Sequence, residues 1–356
     1  MDTSRGFVIK AMLVEAIKQG AADIHFSVGS LPLMRINNQL VSMTDKEIVT
    51  AELMADLLDF VTDPVARTQL DIDREMIVTR EFDKDLRFKV NLFYQKGFLS
   101  ATMRYLPPRI PSLDNLAVSP VVRDLTKMKK GLIIVSGPFG AGRSTTVAAL
   151  IDEINRTRRE YIITIEDPIE YIFTNAQSVI EQREVGKDTK SFLDAVNYFQ
   201  EEDGDILFLE EMHNPALIPP VLEIARSGAL VFTTVSADSA AKTIARILDG
   251  FTSLDQERVR DLLATSLKAV VCQRLLPRVG GGLVLVQELL LANEAVKSAI
   301  MNGNINQLVN VIQTSRADGM ISFEQAIAEL INHHQVAADD ALDVVADRKL
   351  LESLIR

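Results

Sequence analysis

The segment Gly137-Pro138-Phe139-Gly140-Ala141-Gly142-Arg143-Ser144-Thr145 carries the residue types that could do chemistry most directly. Its spacing is that of a phosphate-binding loop, G-x-x-x-x-G-K-[ST], with arginine in the lysine slot. A phosphate chain has to be wrapped by backbone N–H groups. Gly137, Gly140 and Gly142 allow that close approach, and Ala141 adds little bulk. A helix starting at Arg143 would add its positive end, with Ser144 offering a hydroxyl to Mg2+ and Thr145 following it. Lysine in that slot is a compact point charge, whereas arginine is longer, planar and forked. Nucleotide binding through backbone donors should survive the exchange better than positioning of the transferred phosphate. The bland alternative is a tight strand-to-helix turn without a ligand. It has less in its favour, because loop, flanks and the Ser-Thr pair agree.

Two acid-tipped runs lie downstream. Asp205-Ile206-Leu207-Phe208-Leu209-Glu210-Glu211 is an apolar strand ending in two carboxylates, the form of a Walker B element. Such a strand delivers an acid to hold Mg2+ or to orient the attacking water, and the pair Glu210 and Glu211 would allow one acid for each task. Two carboxylates beside phosphates can instead repel, or one can take up a proton, and the sequence leaves both open. Thr164-Ile165-Glu166-Asp167-Pro168 is a second such strand end, where Pro168 forces a turn; it is either a charged strand-to-loop junction or the place from which Glu166 or Asp167 faces the terminal phosphate.

These residues need a scaffold, and the composition permits one. The 356-residue chain is 47% apolar and 24% charged, an ordinary globular balance with room for two domains. Its 38 basic and 49 acidic residues leave a net charge of −11, and 6% aromatics offer little base stacking, so nucleic acid is not an expected partner. Cys272 is the lone cysteine, which excludes an intramolecular disulfide and a cysteine metal cage. No uncharged apolar run reaches the ~20 residues of a membrane span, and residues 1–10 lack a signal-peptide core. The expected location is cytoplasmic, with any membrane association made through partners.

Three prolines within 107–111 mark a linker, 106–112, between an N-terminal domain, 1–105, and a nucleotide-binding core, 113–290. The remainder, 291–356, reads as helical. In the first domain a helix is expected over 7–19, with Val8, Ile9, Met12, Leu13 and Ala16 at helical spacing and Gly20 to end it. Strands are expected at 24–27, 33–36, 88–93 and 99–105, with a helix at 52–61, together an α+β domain with a mostly antiparallel sheet. The core alternates strands at 131–136, 161–165, 205–209 and 229–235 with helices at 143–155, 192–200 and 215–226. That order implies a parallel α/β sheet with its ligand beyond the carboxyl ends of the strands. Candidate helices over 295–301, 305–314 and 323–333 follow, and Gly280-Gly281-Gly282 reads as a hairpin tip.

The chain resembles the secretion-superfamily ATPases, most of all the type IV pilus retraction ATPases of the PilT/PilU group. The motifs occur in that family's order: 136–145, Thr164-Ile165-Glu166-Asp167-Pro168-Ile169-Glu170-Tyr171, Gln182-Arg183-Glu184-Val185-Gly186, the acid-ended strand, and Cys272-Gln273-Arg274-Leu275-Leu276-Pro277-Arg278. Gly20-Ala21-Ala22-Asp23-Ile24-His25-Phe26-Ser27 is similar to the family's GASDLHLS segment, and Asp318-Gly319-Met320-Ile321-Ser322-Phe323-Glu324-Gln325 to its GMQTFDQ-like stretch. The resemblance implies a PAS-like N-terminal domain on a RecA-like core, ATP and Mg2+ between the two domains, and a hexameric ring. That ring would hold copies of this chain alone or with a related motor ATPase, and would dock on an inner-membrane pilus platform protein. It also places Glu166 on the family's Asp-box glutamate and Glu211 on its catalytic glutamate, with Arg87, Arg104 and Lys89 on positions that reach phosphates.

The departures cluster in polar positions. The family's GHLVFxTLHT box has Ala229 and Ser236 where its two histidines stand, its GEMRD form is Glu210-Glu211-Met212-His213-Asn214, and Glu201 replaces an arginine. The AIRNLIRE stretch survives loosely over 295–302. Two readings follow. In one the chain is an ATP-binding subunit of a pilus retraction motor with weakened hydrolysis. In the other it is an inactive pseudo-ATPase that partners an active motor. A small-molecule kinase has no place for the terminal motifs.

Overall fold

The computed structural model describes residues 3–36, 39–83, 86–212, 214–342 and 344–355. Its contacts divide the chain into two units, Met1–Arg109 with Pro168–Ile172, and Ile110–Asp167 with Phe173–Arg356.

In the first unit the helix Thr3–Lys18 buries Ile9, Met12, Leu13 and Ala16, the i, i+3, i+4, i+7 stripe of an amphipathic helix. Val8, expected in that stripe, is 46% exposed. It lies about 100° round the helix from Ile9, off the edge of the buried face. Strands β1 (Asp23–Ser27), β2 (Leu33–Ile36), β3 (Gln39–Ser42), β4 (Glu75–Asp83), β5 (Leu86–Gln95) and β6 (Phe98–Leu106) form a sheet in the order β3-β2-β1-β6-β5-β4. Every one of these pairings is antiparallel. Ile24, Phe26, Phe88, Val90, Leu92, Ala101 and Met103 point from it into the core that the helix covers. Thr50 and Asp63 accept the Leu53 and Ala66 amides and so start the helices Ala51–Val61 and Pro64–Asp73. The second of these helices, and β4, carry no clear sequence signal. Val65 and Ile72 of the helix are exposed, and β4 is a half-buried edge strand bearing Glu75, Arg80 and Glu81.

The second unit is built on β7 (Gly131–Ser136), β8 (Tyr161–Glu166), β9 (Val179–Glu184), β10 (Ile206–Leu209), β11 (Leu230–Val235), β12 (Leu267–Pro277) and β13 (Leu283–Leu291). Their order is β13-β12-β7-β11-β10-β8-β9. All are parallel except β13, which returns antiparallel from β12 through the glycine tip at 280–282. Alternate residues feed opposite faces. Leu132, Ile134, Leu207, Leu209, Val231 and Val235 pack under the helices Ile218–Ser227, Ala240–Asp249 and Ser253–Ser266. Ile133, Val135, Ile206, Phe208, Leu230 and Phe232 pack under Arg143–Thr157. Strands covered on both faces have to be largely apolar, which is why β10 reads as an unbroken hydrophobic run and β7 and β11 depart from one only at Ser136 and at Thr233 and Thr234. The helix expected at 215–226 begins as a 3-10 turn, Pro215–Leu217, because prolines supply no amide for helical pairing there. No described helix is long and apolar enough to cross a membrane.

The C-terminal helices Phe323–Asn332, Ala338–Leu342 and Arg348–Leu354 pack on β12 and β13 through Leu276, Val286, Ile327 and Leu351. One carboxylate ties them down. Glu288 of β13 accepts the Ala240 amide at 2.6 Å and the Phe323 amide, each the first residue of a helix whose amide would otherwise lack a partner. Burial outweighs those two donors, and with Glu324 nearby it pushes the Glu288 carboxyl up from 4.5 to about 7, while Arg274 pulls the other way.

Glu288 therefore binds its proton more tightly folded than unfolded, so its contribution to stability is complete below about 4.5 and declines as pH rises through 7. Stability of the wild type against thermal unfolding should fall between pH 5 and 8 by ~3 kcal/mol more than that of Glu288→Gln, which keeps an acceptor but does not ionise. Parallel pH profiles for the two proteins would refute this.

Candidate phosphate site

β7 is apolar from Leu132 to Val135 and leaves the sheet at Ser136, so the chain must turn sharply to enter the helix Arg143–Thr157. Gly142 takes that turn as the helix N-cap in the left-handed region, φ 83°, which an L side chain rarely adopts. Gly137 is needed for a different reason: a Cβ there would collide with the carbonyl oxygen of Gln273 on β12. Ala141 is buried and its amide bonds the Pro138 carbonyl at 3.1 Å, closing the loop on itself. Gly140, at φ 78°, has open space where a Cβ would be. Ser144 and Thr145 follow, half-buried, in the first helical turn. The loop therefore ends on a helix N-terminus, a ready anion site.

Arg143 is turned toward Glu211. Its Nη1 lies 3.7 Å from a Glu211 oxygen, an ion pair too long to be a hydrogen bond. That nitrogen is buried and has no hydrogen-bond partner. A buried donor left unpaired costs about 1–3 kcal/mol. A phosphate oxygen would satisfy it, so the residues present suit a phosphate ligand.

The other acids are fixed at neighbouring strand ends. Glu210 donates its amide to Ile165 at 3.0 Å and accepts the Asp167 amide on its side chain, so it is turned toward the tip of β8. Glu166, at 4% exposure, accepts from Thr164 at 2.6 Å and from Gln182 of β9 at 3.2 Å. Parallel register carries these acids to the same end of the sheet as the loop, since Leu209 pairs with Ile165 and Thr233, and Thr233 with Ile134. Cys272 pairs with Ser136 at that end, but burial pushes its thiol up to about 12, so it is an inert core residue.

In the first unit, the cations on family phosphate positions have local partners. Arg87 donates to the carbonyls of Ile169, at 2.6 Å, and Glu170. Lys89 pairs with the Glu170 carboxylate at 3.2 Å. Arg104 grips Asp23, its register partner on β1, through two hydrogen bonds of 2.7 and 3.2 Å.

The altered histidine positions fall on opposite ends of the sheet. Ser236 follows the carboxyl end of β11, on the loop's side, whereas Ala229 precedes its amino end. The strand's length separates them by roughly 20 Å. Ala229, expected among the changed phosphate-side residues, instead lines a small cavity of about 250 Å³ with Phe199, Asp203, Asp205 and Ser227. Glu201 stands at the same far end, just ahead of β10. Of these departures Arg143, Glu210 and Ser236 lie at the phosphate end of the sheet. His213 lies outside the described residues. Gln273 and Glu288, the buried polar groups that hold the loop and the helices, were not singled out in the sequence; an amide and an acid inside apolar strand pairs were the available signal.

Comparison with known proteins supplies the family. Residues 4–282 match the model of the family described as Type II/IV secretion system protein. The type IV pilus retraction ATPase PilT of Pseudomonas aeruginosa is 32% identical over 94% of this chain and 96% of its own length. A twitching motility protein of Neisseria gonorrhoeae is 34% identical over 87% of this chain and 83% of its own. A crystal structure of the pilus retraction motor PilT with bound ADP superposes with a TM-score of 0.84 and 37% identity, covering 96% of this chain and 98% of that one. With a matching family model over most of its length and PilT alike in both sequence and fold, the chain belongs to the type II/IV secretion system proteins and, within them, to the PilT-like type IV pilus ATPases.

Proposed function

We propose that this chain is an ATP-binding subunit of a type IV pilus retraction motor whose hydrolysis is held low by its own Arg143. The observation that carries the reading is the ion pair between Arg143 and Glu211. Glu211 stands where a catalytic acid would orient water, and the guanidinium 3.7 Å away draws that carboxylate toward the loop and off the water it would hold.

Gly137, Gly140, Ala141, Gly142, Ser144 and Thr145 would hold the phosphates with backbone donors, and Arg143 would add its Nη1, which has no hydrogen-bond partner of its own. Ser144 and Glu210 would hold Mg2+, which when bound neutralises phosphate charge. Glu166, clamped by Thr164 and Gln182, would present a fixed carboxylate at the neighbouring strand end. Arg104 would have to leave the buried Asp23 carboxylate without its cation in order to reach a phosphate, an unfavourable exchange. Arg87, released from two carbonyl oxygens, would leave no buried charge behind. The family relationship supports a six-membered ring, of this chain alone or mixed with a related ATPase, on an inner-membrane platform protein.

The same ion pair favours a second reading, an inactive nucleotide-binding partner of an active motor. Phosphate release from purified protein with Mg2+ and ATP separates them. If the chain is a weakened motor, its rate exceeds that of Glu211→Gln, which still binds ATP; equal rates would leave the inactive partner. Arg143→Lys should raise the wild-type rate about ten-fold or more by freeing Glu211 and restoring a compact charge. A rate unchanged or lowered by that lysine would overturn the inhibitory role of Arg143.

A further inference from the structure

We propose that Gln273 is a positioning residue that presets the phosphate loop, a role that rests on the nucleotide-binding reading above. β12 runs parallel to β7, and their last paired residues are Cys272 and Ser136. Beyond that pair β7 turns away into the loop while β12 continues to Pro277, so Gln273 lies directly beneath the turn. Its backbone carbonyl is the surface that Gly137 rests on, and its side-chain nitrogen would be 3.4 Å from a Cβ at Gly142. Gln273 is fully buried, and its Nε2 donates to the carbonyl of Ala141 at 2.7 Å.

That one bond sets the direction of a peptide plane. In a trans peptide the C=O and the following N–H point to opposite sides. Drawing the Ala141 carbonyl toward β12 therefore turns the Gly142 amide away from the sheet, to the side where a phosphate would meet it. Gly142, in the left-handed region and without a side chain, has little of its own to hold that orientation. The amide's own orientation is fixed as well. A carbonyl only accepts, so nitrogen must face Ala141, and the remaining Oε1 faces Gln287, the register partner on β13, whose Nε2 stands 3.5 Å away. Without the Gln273 donor, Ala141 would keep a buried, unpaired acceptor and its peptide would be free to turn over.

The expected effect is specific to the phosphates that the loop wraps. Calorimetric titration of the full chain with ADP and with AMP measures it, alongside thermal unfolding without ligand. Gln273→Leu removes the donor at similar volume; the unpaired Ala141 acceptor should lower the ligand-free melting temperature, and the preference for ADP over AMP, a ratio that loss of folded protein does not alter, should fall about ten-fold. Gln273→Glu keeps the shape but donates only when protonated, so its preference for ADP should fall as pH rises while that of the wild type does not. If both variants keep the wild-type preference at every pH, or lose ADP and AMP in equal proportion, Gln273 does not position the loop. Should the wild type itself bind neither ADP nor AMP, the nucleotide-binding reading fails first and the role of Gln273 falls with it.

Discussion

β7 leaves the sheet at Ser136, while β12, paired with it as far as Cys272, continues straight on. The phosphate loop exists in the gap that this divergence opens. Its first glycine is pressed against the backbone of Gln273, and its penultimate peptide is bonded to the same residue's side chain. Parallel register does the rest. Since β7, β11, β10 and β8 end side by side, the acids that follow β8 and β10 emerge along the same rim. Each strand is covered on both faces by buried aliphatic side chains, and each such side chain contributes about 1.5–3 kcal/mol. A one-residue slip in any strand would exchange the faces and move its acid off the rim. The core thus enforces the position of the site.

Charge at that rim is arranged in pairs rather than left free. Glu210 is held by a neighbouring backbone amide, Glu166 by a threonine and a glutamine, and Glu211 by Arg143. The first two arrangements cost the chain little, because hydrogen bonds to backbone and neutral side chains leave the net negative charge in place. The pair with Arg143 differs in kind. It cancels the charge of one acid and uses, for that purpose, the cation that a phosphate loop ordinarily spends on its ligand. Farther along β13, Glu288 applies the same economy to structure, one buried carboxylate serving the first amides of two helices.

Some features were legible because a single local rule produces them. The 137–145 loop declared itself through glycine spacing, and the buried strands through apolar runs that no amphipathic element would carry. The helix Thr3–Lys18 is legible from its spacing, although the spacing also admits Val8, because an adjacent apolar residue cannot be told from a buried one without the neighbouring surface. β4 and the helix Pro64–Asp73 gave no signal, since a half-buried edge strand and a helix with exposed Val65 and Ile72 follow no single period. Ala229 and Ser236 looked equivalent as two changed positions in one motif, yet a strand separates them and only Ser236 faces the phosphate end.

By itself the sequence determined the chemistry available: a glycine loop for phosphate, strands tipped with Glu166, Glu210 and Glu211, and an arginine in place of lysine. Backbone dihedrals, strand periodicity and side-chain charge are properties of residues and their near neighbours, so they can be read along a line. The partners of those groups were decided only in three dimensions. That Arg143 meets Glu211, that Gln273 reaches Ala141 across 132 positions of chain, and that Asp23 occupies Arg104 are consequences of strand order and register. Pairings of that kind depend on how the whole sheet closes, because the distance between two side chains is set by every layer packed between and behind them.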